Sequence, residues 1–303
     1  MANLKVNIAG VEFKNPIITA SGSYGFGREY NKVFPIEKLG GISCKGTTLQ
    51  ERLGNPPPRV AETSSGMLNS VGLQNPGVEH FIKEDLVWLS QKNIVKIANI
   101  AGRTYDEYCC AVEKLNDTNV DMIELNISCP NVREGGVSFG TSPKGVEEIV
   151  SRVRKVCNKP LIVKLTPNVT DISEIAAAAE SAGADSISLI NTLTGMRIDI
   201  NNRRPILKNN TGGLSGPAIF PVALRMVWQV ANTVKIPVIG MGGISKWQDA
   251  VEMLLAGASA VQIGTANFTD AFTPVKVIEG LEKYLDDNSI KNVNEIVGEV
   301  VAW

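Results

Sequence analysis

Short β-branched runs alternate with amphipathic stretches along the whole chain. Apolar runs occur at Ile17–Ala20, Gly41–Cys44, Ile94–Ala98, Asp121–Ile127, Leu161–Leu165, Ser186–Ile190, Val238–Gly240 and Ala260–Gly264. Each is too short for a helix and bounded by turn residues, so each reads as a strand buried on both faces. The intervening segments carry helical spacing. After Ser142, residues Val146, Ile149, Val150, Val153 and Val156 form one apolar stripe. Helix-start signals agree: Thr104 with Glu107 and Ser245 with Gln248 fit a capping box, while Ser142-Pro143 and Thr273-Pro274 place a cap before a proline. Ala182-Gly183-Ala184-Asp185 and Ala256-Gly257-Ala258-Ser259 each precede a strand, with a glycine placed to close the preceding helix.

Eight such strands with helical crossovers and no dividing linker predict an α/β fold, a (β/α)8 TIM barrel formed by residues 1–303 as a single domain. An open doubly wound sheet is the alternative, but its GxGxxG turn after the first strand is missing. Residues 4–13 read as a short N-terminal hairpin at the barrel floor. Residues 191–216, after strand 6, are too long for a bare loop and are expected to carry an insertion over the mouth.

Charge narrows the function. Thirty basic against thirty-one acidic side chains leave a net charge of −1, which argues against binding nucleic acid or a membrane surface by bulk electrostatics. No apolar run reaches the length of a membrane span, and the first ten residues carry no signal core, so a cytoplasmic location is expected. The reactive inventory is narrower still: one histidine, His80, and five cysteines without CxxC spacing. A His–His metal site is excluded, and neither a disulfide framework nor a zinc site is expected. His80 falls in an outer helical stretch and reads as structural or solvent-facing. Cys44, Cys109, Cys110 and Cys157 read as buried, inert thiols. Pro56-Pro57-Pro58 reads as a stiff loop.

Barrel chemistry gathers at the carboxyl ends of the strands. Polar residues and glycines follow nearly every strand here: Ser21-Gly22-Ser23, Lys45-Gly46-Thr47-Thr48, Asn99, Asn126 through Asn131, Lys164, Asn191-Thr192, Gly242-Gly243 and Gly264-Thr265. The last two glycine groups stand where barrels commonly hold a phosphate, with backbone amides and the following helix facing the anion. One strand-end lysine can snorkel to solvent; two, Lys45 and Lys164, point to an anionic ligand. Cys129 is set in Ser-Cys-Pro between Asn126 and Asn131 and precedes a glycine-rich segment, residues 133–140, that reads as a lid. A thiol there is within tuning range of neutral pH as base or nucleophile.

In order along the chain stand SGSYGFG (Ser21–Gly27), CKGTT (Cys44–Thr48), NSVGLQNPG (Asn69–Gly77), ELNISCPN (Glu124–Asn131), VKLTPN (Val163–Asn168), NTLTGM (Asn191–Met196), GGLSGPAI (Gly212–Ile219) and GMGGI (Gly240–Ile244). Together they resemble the class 1 dihydroorotate dehydrogenases, FMN enzymes of pyrimidine synthesis, along essentially the whole chain. The resemblance implies oxidation of dihydroorotate to orotate. It implies FMN bound by Ser21, Lys45, Gly46, Asn99, Asn126, Lys164, Ile190, Gly216, Gly242, Gly243, Gly264 and Thr265, the last four around its phosphate. It implies substrate held by Lys45, Asn69, Ser70, Val71, Gly72, Leu73, Asn126, Asn131, Asn191 and Thr192. Cys129 would take a proton from C5 while hydride leaves C6 for the flavin N5. The segments Asn131–Gly136 and Asn69–Gly77 look most like the 1B type. There a homodimer of this subunit joins a partner carrying FAD and a 2Fe–2S cluster in a heterotetramer and passes electrons to NAD. Other readings stay open: a 1A enzyme using fumarate, a related FMN barrel acting on another reduced pyrimidine, a flavin-free isomerase or aldolase using Lys164, and a non-catalytic docking subunit.

Overall fold

A computed structural model describes residues 2–128 and 139–303. Its centre is a closed barrel of parallel strands: Ile17–Thr19, Gly41–Ser43, Val95–Ile100, Met122–Asn126, Leu161–Lys164, Ser186–Leu189, Val238–Met241 and Ala260–Ile263. They pair in sequence order, and the eighth closes on the first through Val261 opposite Ile17. All eight segments expected from the sequence are present, within two residues at each end. The strand side chains Ile18, Ile42, Ile97, Ile123, Val163, Ile187, Ile239 and Val261 are fully shielded from water, so the strands have no solvent face and no alternation.

The helices behave as their apolar stripes require. Pro143–Val156 buries Val146, Ile149, Val150 and Val153, while Val156 at its end is half-buried. Ser142 caps it, accepting from the Gly145 amide at 3.2 Å. Thr104 caps Tyr105–Glu113 in the same way, although Glu107 reaches back to the Arg103 amide. Two start signals are displaced by one residue. The helix Trp247–Leu255 is capped by Lys246, and Asp249, not Gln248, accepts from the Ser245 and Lys246 amides. Its shorter carboxylate meets those amides at 2.8 and 3.1 Å. Thr273 is the first residue of Thr273–Asp287 rather than its cap. Gly183 and Gly257 close their helices with φ of +101° and +108°.

Val6–Ile8 and Val11–Phe13 form the N-terminal hairpin. Phe13 is fully buried, and its ring stands where a Cβ on Gly41 would be, at the start of the second barrel strand. The hairpin therefore seats on the barrel floor. At the opposite end the insertion after strand 6 contributes Leu193–Gly195 and Gly212–Ser215 to a four-stranded antiparallel sheet. The other half of that sheet is a hairpin from the loop after the second barrel strand, Val60–Thr63 and Gly66–Asn69. This hairpin is not among the elements expected from the sequence.

Candidate active site

Polar groups converge at the carboxyl ends of the strands, beneath that accessory sheet. Around the fourth to sixth strands, Ser128 Oγ lies 3.0 Å from Asn126 Oδ1 and 3.1 Å from the Lys164 carbonyl, and accepts from Asn191 Nδ2 at 2.9 Å. The Asn126 carbonyl accepts from the buried Tyr108 hydroxyl at 2.8 Å. Thr192 is held through its carbonyl by Asn168 Nδ2 at 3.0 Å. Lys164 is only 5% exposed, so its cation is held in the wall of the barrel rather than snorkelling to water.

Around the first three strands, the Thr47 amide donates to the Asn99 carbonyl and the Lys45 amide to the Gly25 carbonyl, both at 2.9 Å. A Cβ on Gly46 would come within 2.9 Å of Asn99 Oδ1, with Leu73 and Ser21 Oγ next nearest. The Asn69–Leu73 segment thus reaches the same place as Gly46. It is pinned from behind, because Asn55 donates to the Ser70 and Val71 carbonyls and the Ser70 amide donates to Arg59. Burial holds the Lys45 ammonium below the ordinary lysine range, and the Lys164 and Arg59 cations depress it further. Three like charges crowded together favour an anion among them.

The third group closes the mouth at strands six to eight. Gly242 and Gly243 have φ of +122° and +78°. A Cβ on Gly243 would meet the Phe220 backbone nitrogen at 2.7 Å, and one on Gly242 would press on Ala223 and Ile190. Gly216, also at positive φ, lies against Gly66 of the hairpin. Thr265 Oγ1 is 2.8 Å from Ser215 Oγ. At Gly264 a Cβ would meet only Ala20, at 3.5 Å, so the protein itself does not require glycine there. The helix after Thr265, Ala266–Thr269, is a single turn; the backbone amides, rather than a long helix's field, are what this end offers an anion.

The structure thus brings together Ser21, Lys45, Gly46, Asn69–Leu73, Asn99, Asn126, Lys164, Ile190, Asn191, Thr192, Gly216, Gly242, Gly243, Gly264 and Thr265. Cys129 and Asn131 lie outside the described residues, as do residues 133–138 of the expected lid. Phe139 and Gly140 form a buried 3-10 turn, the Phe139 ring 4.7 Å from that of Tyr105. His80 stays outside the site: its Nδ1 is 3.4 Å from Asp85 on an outer helix. Cys44 and Cys157 are buried, and burial pushes both thiols up. Cys110 is exposed and Cys109 half-buried, contrary to expectation. Their helix buries Tyr108, Ala111 and Val112 instead.

One residue was overlooked in the sequence. Glu124, in the fourth strand, is completely buried inside the barrel. Its Oε2 accepts from Ser43 Oγ at 2.7 Å and Asn99 Nδ2 at 2.6 Å, and its Oε1 from Ser188 Oγ at 2.8 Å and Gln262 Nε2 at 2.7 Å. Burial pushes the carboxyl up, but Lys164 and these donors bring it below its usual value. The available signal was a polar residue at matching positions inside four mostly apolar strands, Ser43, Glu124, Ser188 and Gln262.

Among the described residues, no group of three or more His, Cys, Asp or Glu side chains could hold a metal ion, and no helix is long and apolar enough to cross a membrane. A family model described as dihydroorotate dehydrogenase matches residues 3–285. The chain belongs to the dihydroorotate dehydrogenase family. Its relatives within that family are full-length. The catalytic subunit of dihydroorotate dehydrogenase B (NAD(+)) from Alkaliphilus oremlandii is 58% identical over 298 residues, covering 98% of this chain and 99% of the relative. Those of Alkaliphilus metalliredigens and Petrotoga mobilis, with the same name and coverage, are 60% and 55% identical.

Proposed function

We propose that this chain is the FMN-bearing catalytic subunit of a class 1B dihydroorotate dehydrogenase, oxidising dihydroorotate to orotate in pyrimidine biosynthesis. The observation that carries the reading is the pairing of two cations, the half-buried Lys45 and the buried Lys164, with the Asn126–Ser128–Asn191 network at one barrel mouth. The full-length relatives named as catalytic subunits support it.

The residues present fit a flavin. Asn99 Oδ1 is buried with no hydrogen-bond partner and stands beside Gly46 and Ser21. An unpaired buried acceptor is costly unless a ligand donor meets it. Ser21, Lys45, Gly46, Asn99, Asn126, Lys164, Ile190 and Gly216 would hold the flavin, with Gly242, Gly243, Gly264 and Thr265 around its phosphate. Bound there, FMN would supply the acceptor for the hydride on substrate C6. Lys45 holds the substrate carboxylate, while Asn69, Asn126, Asn131 and Asn191, with Thr192 and the Ser70–Leu73 backbone, orient the ring. Cys129 takes the C5 proton. Fixing the ring between cation and amides before proton removal turns the step into a positioned, intramolecular transfer.

The same reading covers the whole chain, residues 1–303, as one domain located in the cytoplasm. Its partner would carry FAD and a 2Fe–2S cluster and pass electrons to NAD, the pair of subunits assembling around a homodimer as a heterotetramer. Purification tests the cofactor. The protein should be yellow and hold one FMN per chain; a colourless protein that cannot be reconstituted with FMN contradicts the reading.

A further inference from the structure

The four side chains Ser43, Glu124, Ser188 and Gln262 come from the second, fourth, sixth and eighth strands. Barrel interiors are filled by just such layers of four from alternate strands, usually of branched apolar residues. Here the layer is polar and centred on one carboxylate. Because side chains on a strand repeat with period two, the next layer upward from these strands is Lys45, Asn126, Ile190 and Gly264. Every one of those four belongs to the proposed flavin site. Asn99 and Lys164 come from the third and fifth strands; Asn99 donates to Glu124, and Lys164, in register with Asn126, is near enough for its charge to act on that carboxyl.

We propose that Glu124 is a positioning residue, a buried carboxylate that orients the Asn99 amide and balances the Lys164 cation directly below the layer assigned to the flavin. This rests on the flavin reading above. A carboxylate can only accept, so Asn99 must turn its amino group down to Glu124. Its carbonyl oxygen is thereby left toward Gly46, Ser21 and Leu73, unpartnered and buried. The site then requires a ligand N–H at that point, which the flavin pyrimidine ring provides. The same carboxylate is a fixed negative charge beside Lys164, so it offsets the cation's preference for an electron-rich, reduced ring. Two donors on each oxygen keep it ionised without a water molecule.

Glu124→Gln keeps the shape and removes the charge. In the FMN-loaded protein it should move the flavin midpoint potential to more positive values and weaken FMN binding about tenfold, the worth of one charge-assisted hydrogen bond. A control, Ser188→Ala, keeps the charge and should leave the potential in place. An unchanged potential in Glu124→Gln overturns the proposal. A second arm needs neither flavin nor a folded single variant at position 124. Lys164→Met strands the carboxylate without its cation, so the double variant Lys164→Met/Glu124→Gln should melt higher than Lys164→Met. A lower melting temperature for the double variant overturns the charge pairing. If wild-type protein takes up no FMN, the flavin reading itself has failed, and the potential arm falls with it while the melting arm still reads the pair.

Discussion

At the residue scale, the informative groups are the cations at the barrel mouth. Lys45 is held below the ordinary lysine range by burial and by Lys164 and Arg59. Only its charged form can hold a carboxylate. Orotate affinity should therefore be full below that lowered pKa and fall as pH rises through it, earlier than an ordinary lysine near 10.4 would allow. In the ligand-free protein the unfolded chain binds more protons over the same window, so stability should rise with pH there. Titration of orotate binding across alkaline pH checks the first sign, and thermal melts without ligand check the second. Cys129 makes a separate claim. Cys129→Ala should keep FMN yet lose at least about a hundredfold in the rate of flavin reduction at neutral pH, the low end for a positioned base. Undiminished single-turnover reduction would remove it from the mechanism.

At the scale of elements, strands were readable because burial on both faces leaves little but β-branched and aliphatic residues in them. Strand-end residues were readable for the opposite reason: a lysine or asparagine just past an apolar run has few structural excuses. Glu124 escaped because a single carboxylate within such a run shows nothing of the four donors that other strands bring to it. The hairpin Val60–Thr63 with Gly66–Asn69 escaped as well, since its burial is only partial and its partner strand lies far along the chain, at Gly212–Ser215. Helix starts were right in kind, and two were off by one residue where a neighbouring side chain supplied the cap. The cap at Ser142 gives an element-scale test. Ser142→Ala should cost about 1 kcal/mol of stability without changing FMN content, measured by denaturant unfolding of the holoprotein. A loss of flavin with unchanged stability would contradict the separation between this helix start and the flavin site.

At the scale of the whole molecule, the barrel supplies a rigid frame whose strand ends converge, and the accessory sheet ties the insertion after strand 6 to the loop after the second strand. The polar mouth is thereby walled on three sides by residues from every strand. Electron delivery is expected to need a second subunit. The isolated chain should turn over dihydroorotate with an artificial acceptor and show no turnover with NAD until a subunit carrying FAD and a 2Fe–2S cluster is added. Steady turnover of the isolated chain with fumarate would instead place it with the 1A type.

The central claim is that this mouth binds FMN and passes hydride to it from dihydroorotate. Anaerobic titration of the purified, flavin-loaded protein with dihydroorotate tests it most directly. The flavin absorbance should bleach with the formation of one orotate per flavin reduced. Protein that holds FMN but keeps its oxidised spectrum under excess dihydroorotate would contradict the account.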